Sequence, residues 1–190
     1  FVFLIASHLL DRRAGLLAAF LYAFAPLPIQ HSHFFVVDPY ATFFVSVAIY
    51  FALRLARGGG WPSGAMAGVA VGLGTASKVT VVSLLPVVLL AIAMRLWPLV
   101  RHSREAPERD PLPSKRGLAR PLLGSVGLAL TTLLGAFLAF RVAMPYAFNA
   151  PSGEDLLFWT IRLNPHWVED ELNQRALLDG SSFPPNVQWI

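Results

Sequence analysis

The sequence predicts an all-α integral membrane protein: a multi-span transmembrane helix bundle followed by a short extracytoplasmic amphipathic helix. Three observations carry this. Of 190 residues, 55% are apolar and only 14% charged, against roughly 25% charged in soluble domains, and the mean hydropathy is +0.57. Apolar stretches recur along the chain, parted by short polar breaks. Lysine and arginine collect in alternate breaks, the asymmetry that orients membrane proteins. The composition excludes disorder, a nucleic-acid-binding tail and most water-soluble enzymes. The net charge of +4 does not mark a nucleic-acid partner, because the basic residues lie between apolar stretches and not on one amphipathic face. The partner it implies is the lipid bilayer. With no cysteine, there is neither a disulfide framework nor a thiolate metal site.

The elements follow in order. Residues 1–10, FVFLIASHLL, are about half the ~20 residues that cross a bilayer. No basic stretch precedes them, as a signal peptide requires. They are expected to be the end of a helix that begins before Phe1, which makes the chain part of a longer protein. Further spans are expected near 14–30, 40–56, 64–77, 79–97 and 119–142. The breaks are DRR at 11–13, a His/Asp loop at 31–39, RGGGWPS at 57–63, a turn around Lys78, and a polar loop at 98–118. One long broken helix, or a re-entrant element, is the competing reading of 64–77 and 79–97. Of the 15 Lys and Arg, all but Lys78, Arg141, Arg162 and Arg175 fall on one side of this topology. That side is assigned to the cytoplasm, which places 98–118 inside and 31–39 outside. The chain thus divides into a bundle, 1–142, and an extracytoplasmic segment, 143–190, in a multi-pass protein of the plasma membrane.

Two further patterns bear on packing. Gly64, Gly68, Gly72 and Ala76 recur every four residues and leave one helix face smooth, for close approach of another helix within the chain or, in the sharper reading, of a second copy. In the outer segment, Asn164 before Pro165 reads as a helix start and Gly180 as its stop. Val168, Leu172 and Ala176 share one face of that helix, with Glu169, Asp170, Glu171, Asn173 and Gln174 on the other, as in a helix lying on a membrane surface or on the helix bundle.

The residues that can carry chemistry are few. In QHSHFFVVDPY, Asp38 stands between two spans, where a carboxylate is costly unless it meets water, a cation or a partner. As the residue before Pro39 it also suits a helix N-cap; the two readings are compatible. His31, His33 and Asp38 supply ligand types suited to a divalent metal, although the H-x-H spacing fits ordinary hydrogen bonding equally. Lys78 interrupts an apolar region, and Arg141 ends a span, both on the side that normally lacks cations. Each can snorkel to the interface. Together they suggest an anionic ligand such as a lipid phosphate, which arginine grips bidentately and lysine meets as a point charge. Phosphate-binding loops, nucleophile elbows, zinc-protease motifs and dinucleotide fingerprints are absent.

The run PIQHSHFFVVDPYATFFVSVAIYFAL resembles the second acidic motif of GT-C-type, polyprenyl-phosphate-dependent glycosyltransferases, among them protein O-mannosyltransferases and the bacterial aminoarabinose transferase of lipid A. AGVAVGLGTASKVTVVSLLPVVLLA resembles their next landmark, a glycine-rich helix ending in a Thr-Lys or Ser-Lys turn. FRVAMPYAFNAPS, LNPHWVEDE and FPPNVQWI are similar to a bacterial and archaeal branch of such proteins. The resemblance implies a GT-C-like bundle that transfers a sugar from a polyprenyl-phosphate donor at the extracytoplasmic face. It implies Asp38 as the catalytic carboxylate, able to hold a divalent ion, and Lys78 and Arg141 as contacts to the donor phosphate. His31, His33 and Tyr146, the last within FRVAMPYAFNAPS, stand as further substrate contacts. The carboxylate of the family's first outer loop would precede residue 1, so the chain alone is expected to be inactive. A transporter segment or a non-catalytic scaffold is the alternative. A transport path needs polar groups through the membrane's midplane, whereas a transferase needs them gathered at one face.

Overall fold

A computed structural model of the chain describes residues 1–34, 36–97, 115–148 and 162–178. These residues are helical, with no strand among them. The chain forms two units, Phe1–Phe140 and Arg141–Ile190.

In the first unit, α1 (Val2–Leu9) and α2 (Arg12–Ala23) form a hairpin. Asp11 caps α2, its Oδ1 accepting from the Ala14 N–H at 2.7 Å. The expected span 14–30 is not one helix. The chain breaks at Phe24–Ala25, and α3 (Pro26–His33) leaves α2 at a 50° bend. Pro26 opens α3 because a proline has no N–H to return to the preceding turn.

Next, α4 (Asp38–Ala56) and α5 (Trp61–Ser77) form an antiparallel pair. The end of α4 is a Schellman motif: Gly59 N–H donates to the Arg54 carbonyl (2.8 Å) and Gly58 N–H to the Leu55 carbonyl (3.0 Å). Gly58 takes φ +96°, a conformation that favours glycine. After α5 the chain reverses at Lys78, whose backbone is extended. A 3-10 stretch (Val79–Leu84), α6 (Leu85–Ala93) and a second 3-10 turn (Met94–Leu96) then run back along α4. Arg95 Nη1 donates to the Gly59 carbonyl at 2.7 Å, at the end of α4 opposite Asp38. Residues 64–77 and 79–97 are therefore two segments that double back on each other and not one long broken helix; of the two, Val79–Leu96 is the one long and apolar enough to cross a membrane.

Packing is that of a membrane protein. The core joins Val47, Ala48, Ala52 and Leu55 of α4 to Ala67, Ala70 and Val71 of α5, and to Val88, Ala91 and Ile92 of α6. The large side chains Leu16, Leu17, Phe20, Leu90, Leu130 and Leu134 face outward. Small residues inside and large apolar residues outside suit lipid, where close backbone approach replaces the hydrophobic drive. Three segments are long and apolar enough to cross a membrane: Asp38–Ala56, Val79–Leu96 and Pro121–Ala143. The bent pair α2–α3 makes a fourth if taken as one span.

The last long helix, α7 (Lys115–Ala143), packs on the glycine face of α5. A methyl group on Gly68 would collide with the Thr132 carbonyl oxygen, and one on Gly72 with that of Ala136. Thr132 is fully buried, its Oγ1 donating to Leu128 O (2.9 Å) and lying 3.2 Å from Gly64 O. The stripe read from the sequence is thus occupied within the chain.

In the second unit, Asn164 is the anchor. Its backbone N–H donates to Ala147 O (2.9 Å) and its Nδ2 to Tyr146 O (3.1 Å), both in the 3-10 turn Pro145–Phe148. Its Oδ1 accepts from the His166 N–H at 3.0 Å, which caps α8 (Pro165–Leu178) as the Asn-Pro pair predicts. Val168 and Leu172 of the expected apolar stripe are exposed. The expected stop at Gly180 lies outside the described residues.

Candidate functional site

Three helix ends meet at the head of α4. Asp38 is the first residue of that helix, His31 lies in the last turn of α3, and Lys78 follows α5. Lys78 Nζ donates to Asp38 Oδ1 at 2.6 Å, and His31 Nδ1 lies 3.9 Å from Asp38 Oδ2. The two carboxylate oxygens therefore face different partners, one an ammonium and the other an imidazole.

This corrects the capping reading of Asp38. Val37 occupies the N-cap position, and no side chain caps the helix. Asp38 sits one residue too far along, already the first residue of the helix. The carboxylate turns instead to Lys78, forty residues on. Lys78 is equally not a lone snorkelling cation. The pair is partly exposed, with side-chain accessibilities of 48% for Lys78 and 38% for Asp38, so its worth lies in orientation more than in stability.

A cleft of about 260 Å³ opens beside Asp38. Its walls are Tyr22 of α2, Leu27, Pro28, His31 and Ser32 of α3, and Asp38, Pro39 and Thr42 of α4. The break between α2 and α3 makes this cleft, because the 50° bend swings α3 across the head of α4. Tyr22, Ser32 and Thr42 were not singled out from sequence. Thr42 carries a signal, lying one helical turn beyond Asp38 on the same face. The others become neighbours through the bend.

The remaining expected residues are distributed as follows. His33 does not line the cleft; its ring meets Phe34 edge-on at 5.7 Å. Arg141 is buried in the second unit, its guanidinium 4.5 Å from the Phe148 ring centre. Tyr146 contributes its backbone carbonyl to Asn164 and keeps an exposed side chain. The donor set at Asp38 does not fit a resident divalent cation. Only His31 and Asp38 come together, with an ammonium 2.6 Å from one carboxylate oxygen, and no group of three or more metal-ligating side chains forms among the described residues.

The arrangement offers an anion a partly exposed ammonium, and a hydroxyl a cleft edged by a carboxylate and an imidazole. The family model of dolichyl-phosphate-mannose-protein mannosyltransferases matches residues 1–104, more than half of the chain, with His31, Asp38 and Lys78 inside the match. No curated protein and no solved structure matches the chain.

Proposed function

Because the chain belongs to the dolichyl-phosphate-mannose-protein mannosyltransferase family, we propose that it is the Asp38-bearing part of a plasma-membrane glycosyltransferase. The enzyme transfers a sugar from a polyprenyl-phosphate donor to a hydroxyl or phosphate acceptor at the extracytoplasmic face. The observation that carries this reading is the Lys78–Asp38 pair at 2.6 Å beside the cleft. When the bond between the sugar's anomeric carbon and the phosphate oxygen breaks, negative charge collects on the lipid phosphate, and a preorganised cation lowers that barrier. Lysine carries three N–H donors. Asp38 takes one, which leaves two for phosphate oxygens. Asp38 in turn orients the acceptor in the cleft. The donor arrives within the membrane, in keeping with a sequence without a nucleotide-phosphate loop.

The distribution of charge favours this reading over a transport path. His31, Asp38 and Lys78 gather at one end of α4, while the helix interior is built from Val47, Ala48, Ala52 and Leu55.

The test is release of free polyprenyl phosphate. The full-length protein in liposomes, given polyprenyl-phosphate-linked mannose, glucose or aminoarabinose, should consume one of these donors. Failure with all three would overturn the reading. Sidedness is tested separately. A single cysteine at position 36 should react with an impermeant maleimide added to intact cells, and one at position 103 should not.

A further inference from the structure

The end of α4 opposite Asp38 gathers arginines without a carboxylate. Gly59, in the turn between α4 and α5, is held from two sides. Its N–H donates to the Arg54 carbonyl at 2.8 Å, and its carbonyl accepts from Arg95 Nη1 at 2.7 Å. Arg57, the C-cap of α4, stands two residues before it. Arg54, Arg57 and Arg95 are thus brought to one turn, the first two exposed and the third half-buried. From Arg12 to Trp97 the one acidic residue is Asp38, at the far end of α4, where Lys78 holds it. Among the described residues none of the three arginines pairs with a carboxylate. In sequence, the stretch 98–118 brings three acids but five Lys and Arg, so it adds no net counter-charge.

Apolar side chains adjoin the arginines. Leu90 and Met94, four residues apart, are exposed, as are Trp97 after them and Trp61 at the start of α5. From this we infer that the turn between α4 and α5 binds an anionic phospholipid. Its phosphate meets Arg54, Arg57 and Arg95, and its acyl chains lie along Leu90 and Met94. Guanidinium groups suit a phosphate because they offer paired N–H donors. The Arg54 guanidinium lies 6.0 Å from the ring centres of both Tyr50 and Phe51, so its charge sits against an apolar wall, where attraction is less screened than in water. Tryptophan is the residue that settles at headgroup depth, and basic pockets beside membrane helices hold acidic headgroups. A free anion would use the arginines alone, whereas a phospholipid uses the apolar strip as well. The site lies across the membrane span of α4 from the cleft, and the inference goes beyond the transferase reading without resting on it.

The test uses the full-length protein, stripped of lipid in a neutral detergent. It is titrated with phosphatidylglycerol, with phosphatidylcholine of the same chains, and with inorganic phosphate, and bound lipid is counted by native mass spectrometry. Phosphatidylglycerol should be retained more tightly than phosphatidylcholine. Each arginine near an anionic headgroup is worth about fivefold in affinity. Arg54→Gln combined with Arg57→Gln, which leaves the Arg95–Gly59 bond in place, should therefore weaken phosphatidylglycerol binding about 25-fold. Arg12→Gln combined with Arg13→Gln removes the same charge from the start of α2 and should change binding less than about twofold. An equal loss in both double variants would show an effect of net charge and overturn the site. So would equal retention of the two lipids by the wild type, or wild-type phosphatidylglycerol binding in a folded Arg54/Arg57 double variant. Displacement of the lipid by inorganic phosphate at equal concentration would make this a site for a free anion and overturn the lipid assignment.

Discussion

The seam between α5 and α7 and the cleft at the head of α4 lie in the same unit but are built from opposite materials. At the seam, glycine backbone meets carbonyl oxygen, and Gly68 and Gly72 have no space for a side chain. Thr132 there is fully buried and bonded within the seam. At the head of α4, by contrast, Asp38 and Lys78 are partly exposed side chains reaching from helix ends. Lipid gives packed helices no hydrophobic reward, so rigidity comes from backbone contact. Reactive groups are then confined to the helix ends, where charge can be solvated. The difference teaches that this fold holds its frame with residues that carry no charge and keeps its paired charges, Asp38 and Lys78, at the frame's rim.

Substitutions can separate the two regions. The largest effect is expected from Asp38→Asn in the full-length enzyme: sugar transfer falls by about 100-fold or more. Thermal stability stays near wild type, because Asp38 caps nothing and an exposed ion pair contributes little to folding. A folded Asp38→Asn enzyme with normal turnover would strip the rim of its function. Lys78→Ala should cost about 10- to 100-fold, the worth of a charge-assisted bond to phosphate, seen in kcat/KM as the donor is varied. Full activity would show that the ammonium serves only to hold Asp38.

Gly68→Ala tests the frame. The added methyl meets the Thr132 carbonyl, so α5 and α7 must part, at a cost of about 1–3 kcal/mol. Thermal unfolding should report that loss while the rate per folded molecule is kept. Gly124→Ala, in α7 and with open space around it, should be neutral or gain up to about 1 kcal/mol, since alanine is the better helix former. If both glycines respond alike in the unfolding experiment, close packing is not what distinguishes the seam.

Much of the frame is legible in the sequence because lipid imposes long apolar runs and a four-residue repeat of small residues. The start of α8 follows from Asn164–Pro165, by local chemistry, whereas Asp11, read as part of the break DRR, caps α2. The site is legible only in its members. Asp38 and Lys78 stand out as isolated charges, yet their pairing joins residues forty apart through the antiparallel fold of α4 and α5. The cleft hides behind Pro26 and Pro28, which sit inside an otherwise continuous apolar run. His31 and His33, alike in sequence, are two positions apart on a helix and so point in different directions; only His31 turns toward Asp38. The stripe on α8, Val168 and Leu172, is exposed in the chain by itself, as a face meant for a membrane surface would be.

The return segment from Val79 to Leu96 has a further consequence, one of length. Its 18 residues would reach about 27 Å as continuous α-helix, short of the ~30 Å hydrocarbon core. Six residues at its start and three at its end are 3-10, and a 3-10 residue rises about 2.0 Å where an α-helical residue rises 1.5 Å. The segment is thereby stretched to about 32 Å. A segment about 3 Å too short as continuous α-helix thereby matches the thickness of the hydrocarbon core without an added residue, and Lys78 and Arg95 stand at its two ends.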